Sequence, residues 1–427
     1  MKREITRRHS LLFEKKGARN LLGLFDDLYR YQKWSELISF AVWEAFHKLG
    51  LFPKDQYLKF VNREALSVEK VGLNAEFDET IFWFFKSRGL TVARSPINWK
   101  LLFTGNKGEI FGCVYPDDKA LYRSVDGGKS ISFIYKFPEP IKSIFVSSQN
   151  AIFVCLKGSV YQSDDHGAFF KKILELGSPE SFFRHNNAMT QTPDGTLLFG
   201  EYGNFWEKGG WRKLAYLYFS FDGGETWGRS NFLLEKGTNK HIHLVKYSQM
   251  LDRILVADGD NKKKLWISGP VSSSTFLSPD QWKAVNKFHI QMGGYTSVVE
   301  NDGKILFGTD YQGGTNFIVE TRDGEKFTKR IVPDPYRRSP IDNMVPRMAK
   351  NGVEIWANLP YSAANTRCLL MYSTDGGESW EKVIEYNRAA HKVWLLSASN
   401  EISDTLYFSI ENTISKKRVV YKVTEAL

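Results

Sequence analysis

The sequence predicts an all-β repeat protein: a closed β-propeller of four-stranded antiparallel blades, seven in number with six as the alternative. Three observations predict it. A turn motif of the form Ser/Thr-x-Asp-x-Gly-x-Ser/Thr-aromatic recurs in complete and degraded copies after residue 120. Each copy follows a short apolar, strand-like run. The copies are spaced for one blade per roughly 40–57 residues, the signature of a radial repeat.

The chain changes character near residue 95, and we divide it into a basic, partly helical segment (1–95) and a propeller (96–427). Before the switch, Trp34, Leu37, Ile38, Ala41, Val42, Ala45, Phe46 and Leu49 follow helical spacing. Gly50 and Pro53 stop that pattern. The spacing predicts an amphipathic helix over 31–50, its Trp34–Leu37–Ala41–Ala45 stripe packed on the propeller or on a partner. A second apolar stretch runs from Ile81 to Phe85.

The motif begins with Ser124-Val125-Asp126-Gly127-Gly128-Lys129-Ser130, and Ser163-Asp164-Asp165-His166-Gly167 follows. The full copies are Ser220-Phe221-Asp222-Gly223-Gly224-Glu225-Thr226-Trp227 and Ser373-Thr374-Asp375-Gly376-Gly377-Glu378-Ser379-Trp380. Thr321, Asp323 and Phe327 mark a degraded copy, and Ser268-Gly269-Pro270 a decayed one. Blades are expected to begin near Ile97, Ile141, Asn187, His241, Tyr295, Met344 and Lys392. A strand from near residues 75–95 is expected to close the ring on the C-terminal blade.

Within the motif the Asp can accept turn N–H groups, and the Gly adopts a φ that other residues resist. The motif therefore staples a turn, and its aspartates read as structural rather than catalytic. These residues resemble the Asp-box, or BNR-repeat, family of sialidases and related propellers, over roughly residues 98–427. The resemblance implies a box in the turn between the third and fourth strands of each blade.

Composition narrows the function. A net charge of +10 admits acidic partners without choosing among them. Cys113, Cys155 and Cys368 lie far apart in apolar runs, which argues against a disulfide framework. No run is long and apolar enough for a transmembrane helix, and the N-terminus has no secretory h-region. The expected location is cytoplasmic. No nucleic-acid motif is present. The basic arm of Lys2, Arg3, Arg7, Arg8, Lys15, Lys16 and Arg19 reads as a solvated tail, or as a contact to protein or a membrane surface.

In a propeller, the entrances to first strands and the loops between second and third strands share one face. Five of the eight histidines fall at such entrances: His185, His241, His243, His289 and His391. The loops add Glu201, Tyr202, Asp258, Asp260, Asp310 and Tyr311. Arg184, Gln291 and Arg347 stand at further entrances. A lone His at a strand start is ordinarily a packed structural residue; convergence from four blades points instead to a site.

His, Tyr and Arg at one face suit a lyase or glycoside hydrolase acting on an acidic glycan with uronic or sialic carboxylates. His241, His243, Tyr202, Tyr311, Glu201 and Asp310 are the candidate acid–base groups. Arg184, His185, Arg347 and His391 are the candidates for holding substrate. His241 and His243, one strand face apart, suit either a divalent metal ion or a metal-free channel wall. With His289 and Gln291 they resemble the three-His-plus-Gln metal site of seven-bladed oligogalacturonate lyases. Sialidase activity fits less well: Arg94-Ser95-Pro96 only echoes that family's Arg-Ile-Pro element, and three arginines cannot be placed. The alternative is a non-catalytic propeller that binds glycan or protein.

Overall fold

The computed structural model describes residues 22, 25, 26, 29, 34–61, 64–70, 73–207, 210–238, 240–259, 264–270, 278–285, 294–311, 314–360 and 367–425. Asp260, His289, Gln291 and the basic arm lie outside them. Seven antiparallel four-stranded sheets form a seven-bladed propeller. Blades one to six occupy residues 99–136, 143–175, 189–230, 242–285, 294–331 and 343–386. Blade seven takes residues 391–425 and completes its sheet with Leu90–Arg94, which pairs antiparallel with Arg418–Glu425. Every first strand begins within two residues of its expected start. Among the described residues, the one α-helix inside the ring is Phe232–Glu235, beside a 3-10 turn at Pro279–Gln281.

Alternation drives the burial. Apolar residues of adjacent blades interdigitate, as Phe103, Phe145, Phe153 and Phe199 do across blades one to three. Ile152–Leu156 is buried along its whole length because neighbouring blades cover both faces.

The boxes sit between third and fourth strands, on the face opposite the strand entrances, which we call the top. In the third blade Ser220 Oγ donates to Asp222 at 2.7 Å and accepts from Gly224 N at 2.8 Å. Thr226 N donates to Asp222 at 2.9 Å, and the Trp227 indole N–H returns to Gly224 O. Gly224 has φ +105°, and a Cβ there would lie 2.4 Å from Gln162 Oε1. The same bonds recur at Ser373, Asp375, Gly377, Ser379 and Trp380.

Hydrogen bonds from the Thr226 hydroxyl and N–H hold the Asp222 carboxyl down at about 2. Its folded pKa lies below the unfolded one, so its contribution is present above about pH 4 and fades as pH falls towards 2. Asp222→Ala should cost about 1 kcal/mol at neutral pH, with exposure keeping the value low. Denaturant titrations at pH 7 and in acid should show the two proteins converging in acid; an unchanged gap would refute the staple.

The N-terminal segment is integral to the ring. Helix α1 (Trp34–Lys48) lies on the top face beside blades five and six. Helix α2 (Ala75–Lys86) is capped by Asn74, whose side chain accepts from Phe77 N at 2.9 Å. Its Phe77, Ile81 and Phe85 enter the core between blades six and seven, where Phe85 stacks on Trp356 and Phe408. Lys59–Phe60 and Leu66–Ser67 add parallel to the outer strand of blade six, Ser379–Tyr386.

Of the two places expected for the stripe, the propeller is corrected. The face of α1 that meets the propeller is Trp43, Glu44 and His47, not the Trp34–Ala41–Ala45 stripe, which is exposed; the side chain of Leu37 lies outside the described ones. Glu44 is buried between Arg337, at van der Waals-tight bidentate range, and Arg338 at 2.7 Å. Trp43 packs edge-on against Phe317, and His47 bonds Asp334 at 2.6 Å. A buried bidentate pair outweighs one apolar stripe in setting the helix's rotation.

Candidate active site at the channel mouth

Four of the candidate residues meet on the top face. His241 and His243 sit at the entrance to blade four, two residues apart and hence on one side of the strand. Their Nε2 atoms are 2.9 Å apart, and their rings stack at 4.8 Å. The His241 Nδ1 lies 2.7 Å from Gly203 O. Tyr202, arriving from the second-to-third loop of blade three, places its ring 4.3 Å from His241 and 5.7 Å from His243. Arg184, at the entrance to blade three, lies 5.6 Å over the Tyr202 ring.

Carbonyl chemistry fixes the tautomers. Gly203 O can only accept, so His241 Nδ1 carries the proton. In the state where His241 is neutral, its Nε2 accepts and His243 donates from its own Nε2. The lone pair of the assembly therefore sits on His243 Nδ1. Two glycines make room for the rings: a Cβ on Gly259 would fall 2.2 Å from His241, and one on Gly294 3.4 Å from His243 Nδ1.

Arg184 is anchored from across the channel. Its Nη2 donates at 2.9 Å to Asp342, in the connection entering blade six. Sequence reasoning missed Asp342, although it stands at a first-strand entrance like the histidines. Deeper on the axis, Asn187 donates to Thr296 O and to Asn343, each at 3.3 Å. These bonds join blades three, five and six.

The other candidates make their own contacts, and Asp258 and Asp310 stand on the strands beside the pair, opposite Ile242 and Gly294. Glu201 is buried between blades two and three, where it accepts from Tyr218 at 2.9 Å and Gly177 N at 3.1 Å; burial raises its pKa. Asp258 accepts from Thr238, Lys264 N and Trp266 within blade four. Tyr311 is buried under its own loop, its backbone held on both sides by Asn316. Asp310 pairs in register with Gly294. His391 lies near Asn412 within blade seven. Arg347 is four residues into its strand, near the box face, in a buried pair with Glu354.

His185 bridges blades. Its Nε2 donates to Leu102 O at 3.0 Å, and its Nδ1 accepts from Ile144 N at 3.3 Å. Burial pulls its pKa down to about 4. An unfolded His protonates near 6.5, so folding stability is whole above that pH. It declines as pH falls towards 4, by roughly 3 kcal/mol. His185→Gln should abolish this loss in denaturant titrations between pH 7 and 4; an identical pH profile would contradict the bridging role.

Among the described residues, no three His, Cys, Asp or Glu side chains assemble as metal ligands. The two Nε2 atoms converge at 2.9 Å while His241 Nδ1 is held on Gly203 O, an arrangement that suits ligation of one ion through both Nε2 atoms as well as a direct bond between the rings. His289 and Gln291 lie outside the described residues. A cavity of about 380 Å³ lies elsewhere, at the seam of blades seven and one, lined by Arg94, Ser95, Pro96, Asn98 and Arg418.

The BNR/Asp-box repeat family model matches residues 371–382, the last box. Comparison with curated protein sequences finds no significant match. Among solved structures, virginiamycin B lyase from Staphylococcus aureus is similar at a TM-score of 0.53 and 13% identity, over 79% of this chain and 99% of that one. A catalytically inactive histidine-to-alanine variant of that enzyme with quinupristin gives 0.51 and 13%, over the same shares. A chain of the mitotic checkpoint complex gives 0.50 and 12%, over 78% of this chain and 91% of that one. At such identities the likeness is one of fold.

Proposed function

We propose that the chain is a carbohydrate-active enzyme whose site is the Arg184–Tyr202–His241–His243 group, and that it cleaves an acidic, uronate-containing glycan by elimination. The observation that carries this reading is the directed chain from Gly203 O through His241 to the lone pair on His243 Nδ1. A proton taken at Nδ1 spreads its charge along that chain, which raises basicity without a metal. Arg184 is the group to hold the uronate carboxylate and stabilise charge that develops on it. His243 removes the proton next to the carboxylate. The released electron pair forms the ring double bond as the glycosidic C–O bond breaks. Tyr202 protonates the departing oxygen. That a lyase exists on a propeller of similar fold, inactivated by a histidine-to-alanine change, is consistent with this chemistry but does not transfer its substrate.

The second reading is glycan binding without turnover; the burial of both rings, His241 0% and His243 2% exposed, weighs against a base that reaches substrate and leaves Tyr202 and Arg184 as the groups that would meet a ligand. A screen on acidic oligosaccharides separates them. Elimination yields ultraviolet absorbance together with new reducing ends, hydrolysis reducing ends alone, and pure binding neither. Chelator arms report on metal.

A further inference from the structure

We propose that α1 lays its outward apolar stripe on an anionic lipid surface, with the basic N-terminal arm drawn to the headgroups. The orientation of α1 is inverted for a helix packed on a protein. Its inward side is mostly polar, through Glu44 to Arg337 and Arg338 and through His47 to Asp334, with Trp43 the one apolar residue there among the described side chains, packed on Phe317. Its apolar side faces out: Trp34, Ile38, Val42, Phe46 and Leu49 are between 42% and 70% exposed. These residues run at i, i+4 and i+3 spacing along a helix about 22 Å long. A continuous exposed apolar stripe of this kind marks an interaction surface. Trp and Phe on it suit the headgroup boundary, where interfacial helices lie in the plane of the bilayer.

Charge selects the occupant. Residues 1–20 carry seven Lys and Arg against Glu4 and Glu14, and a basic stretch beside an interfacial helix favours anionic lipid. The buried clamp at Glu44 keeps the stripe outward, so the helix is presented to a surface rather than folded away. Because α1 lies on the top face, the bilayer would meet the same side of the propeller as the channel mouth. The inference rests on α1 and on the charge of the preceding residues, and does not depend on the activity proposed above.

The test uses the full chain and sedimentation with vesicles of phosphatidylcholine, alone or with roughly a third phosphatidylserine. Binding to the anionic vesicles, weakened by salt, is expected. Ile38→Glu with Phe46→Glu should weaken it tenfold or more, by roughly the loss of two inserted apolar side chains. Both positions are exposed, so the thermal midpoint should not move. Lys15→Gln, Lys16→Gln and Arg19→Gln together should weaken it and reduce its salt dependence. The proposal is overturned if the protein stays in solution with anionic vesicles, or binds neutral ones equally. It is also overturned if either variant binds like wild type, or if the protein instead forms concentration-dependent dimers that the double Glu variant dissolves.

Discussion

His243→Ala should abolish turnover, by about 10²–10⁴-fold, while leaving the fold in place. The substitution removes the nitrogen that carries the lone pair and keeps every blade intact. It also strands His241 Nε2 without its donor, which costs about 1–2 kcal/mol and moves the thermal midpoint by only a few degrees in a chain of this size. Tyr202→Phe is the matched control: it keeps the ring against His241 and removes only the hydroxyl. Steady-state rates on the substrate found by the screen, with melting curves alongside, decide the matter. A folded His243→Ala protein with wild-type rates would dismiss the pair as catalytic. Retained glycan affinity in wild type without any product, abolished by the same substitution, would establish the binding reading instead.

Removing residues 1–95 should prevent a native ring from forming, whereas removing residues 1–20 should leave the melting curve unchanged. The larger deletion takes the outer strand from blade seven and both strands laid against blade six. It also withdraws Phe77, Ile81 and Phe85 from the core. Three such side chains represent about 5–9 kcal/mol, comparable with the entire stability of many domains. If the deletion protein is insoluble, Phe85→Ala gives the same information, at an expected cost of about 3–5 kcal/mol. A deletion protein that melts like wild type would show that the ring closes without the N-terminal segment.

Much of this fold was legible because the repeat is local. Each box carries its own turn chemistry within eight residues, so its place between two strands follows from sequence, and blade starts follow from the spacing. The rotation of α1 was not legible. It is set by Glu44 meeting Arg337, residues distant in sequence whose pairing no periodicity reveals. The site was legible in part. His241, His243, Tyr202 and Arg184 were found because strand entrances and loops share a face. Arg347 was misplaced because a residue's depth along a strand decides which end of the channel it reaches, and four residues carry it across the blade. Glu201 points to the opposite side of its strand from Tyr202, an alternation that a list of loop residues does not respect.

The cover on blade six has a consequence for synthesis. Its outer strand, Ser379–Tyr386, is eight residues long, while the outer strands of the other blades are three to five. A long open edge is a template for another chain. Here Lys59–Phe60 and Leu66–Ser67 occupy it. These segments precede their partner in the chain by more than three hundred residues. The capping strands therefore have no partner on blade six until blades one to five have been made. Such closure between chain ends is slow to form, because long loops must be ordered before the contact rewards them. Once formed, it leaves the longest edge in the molecule with no room for a neighbour.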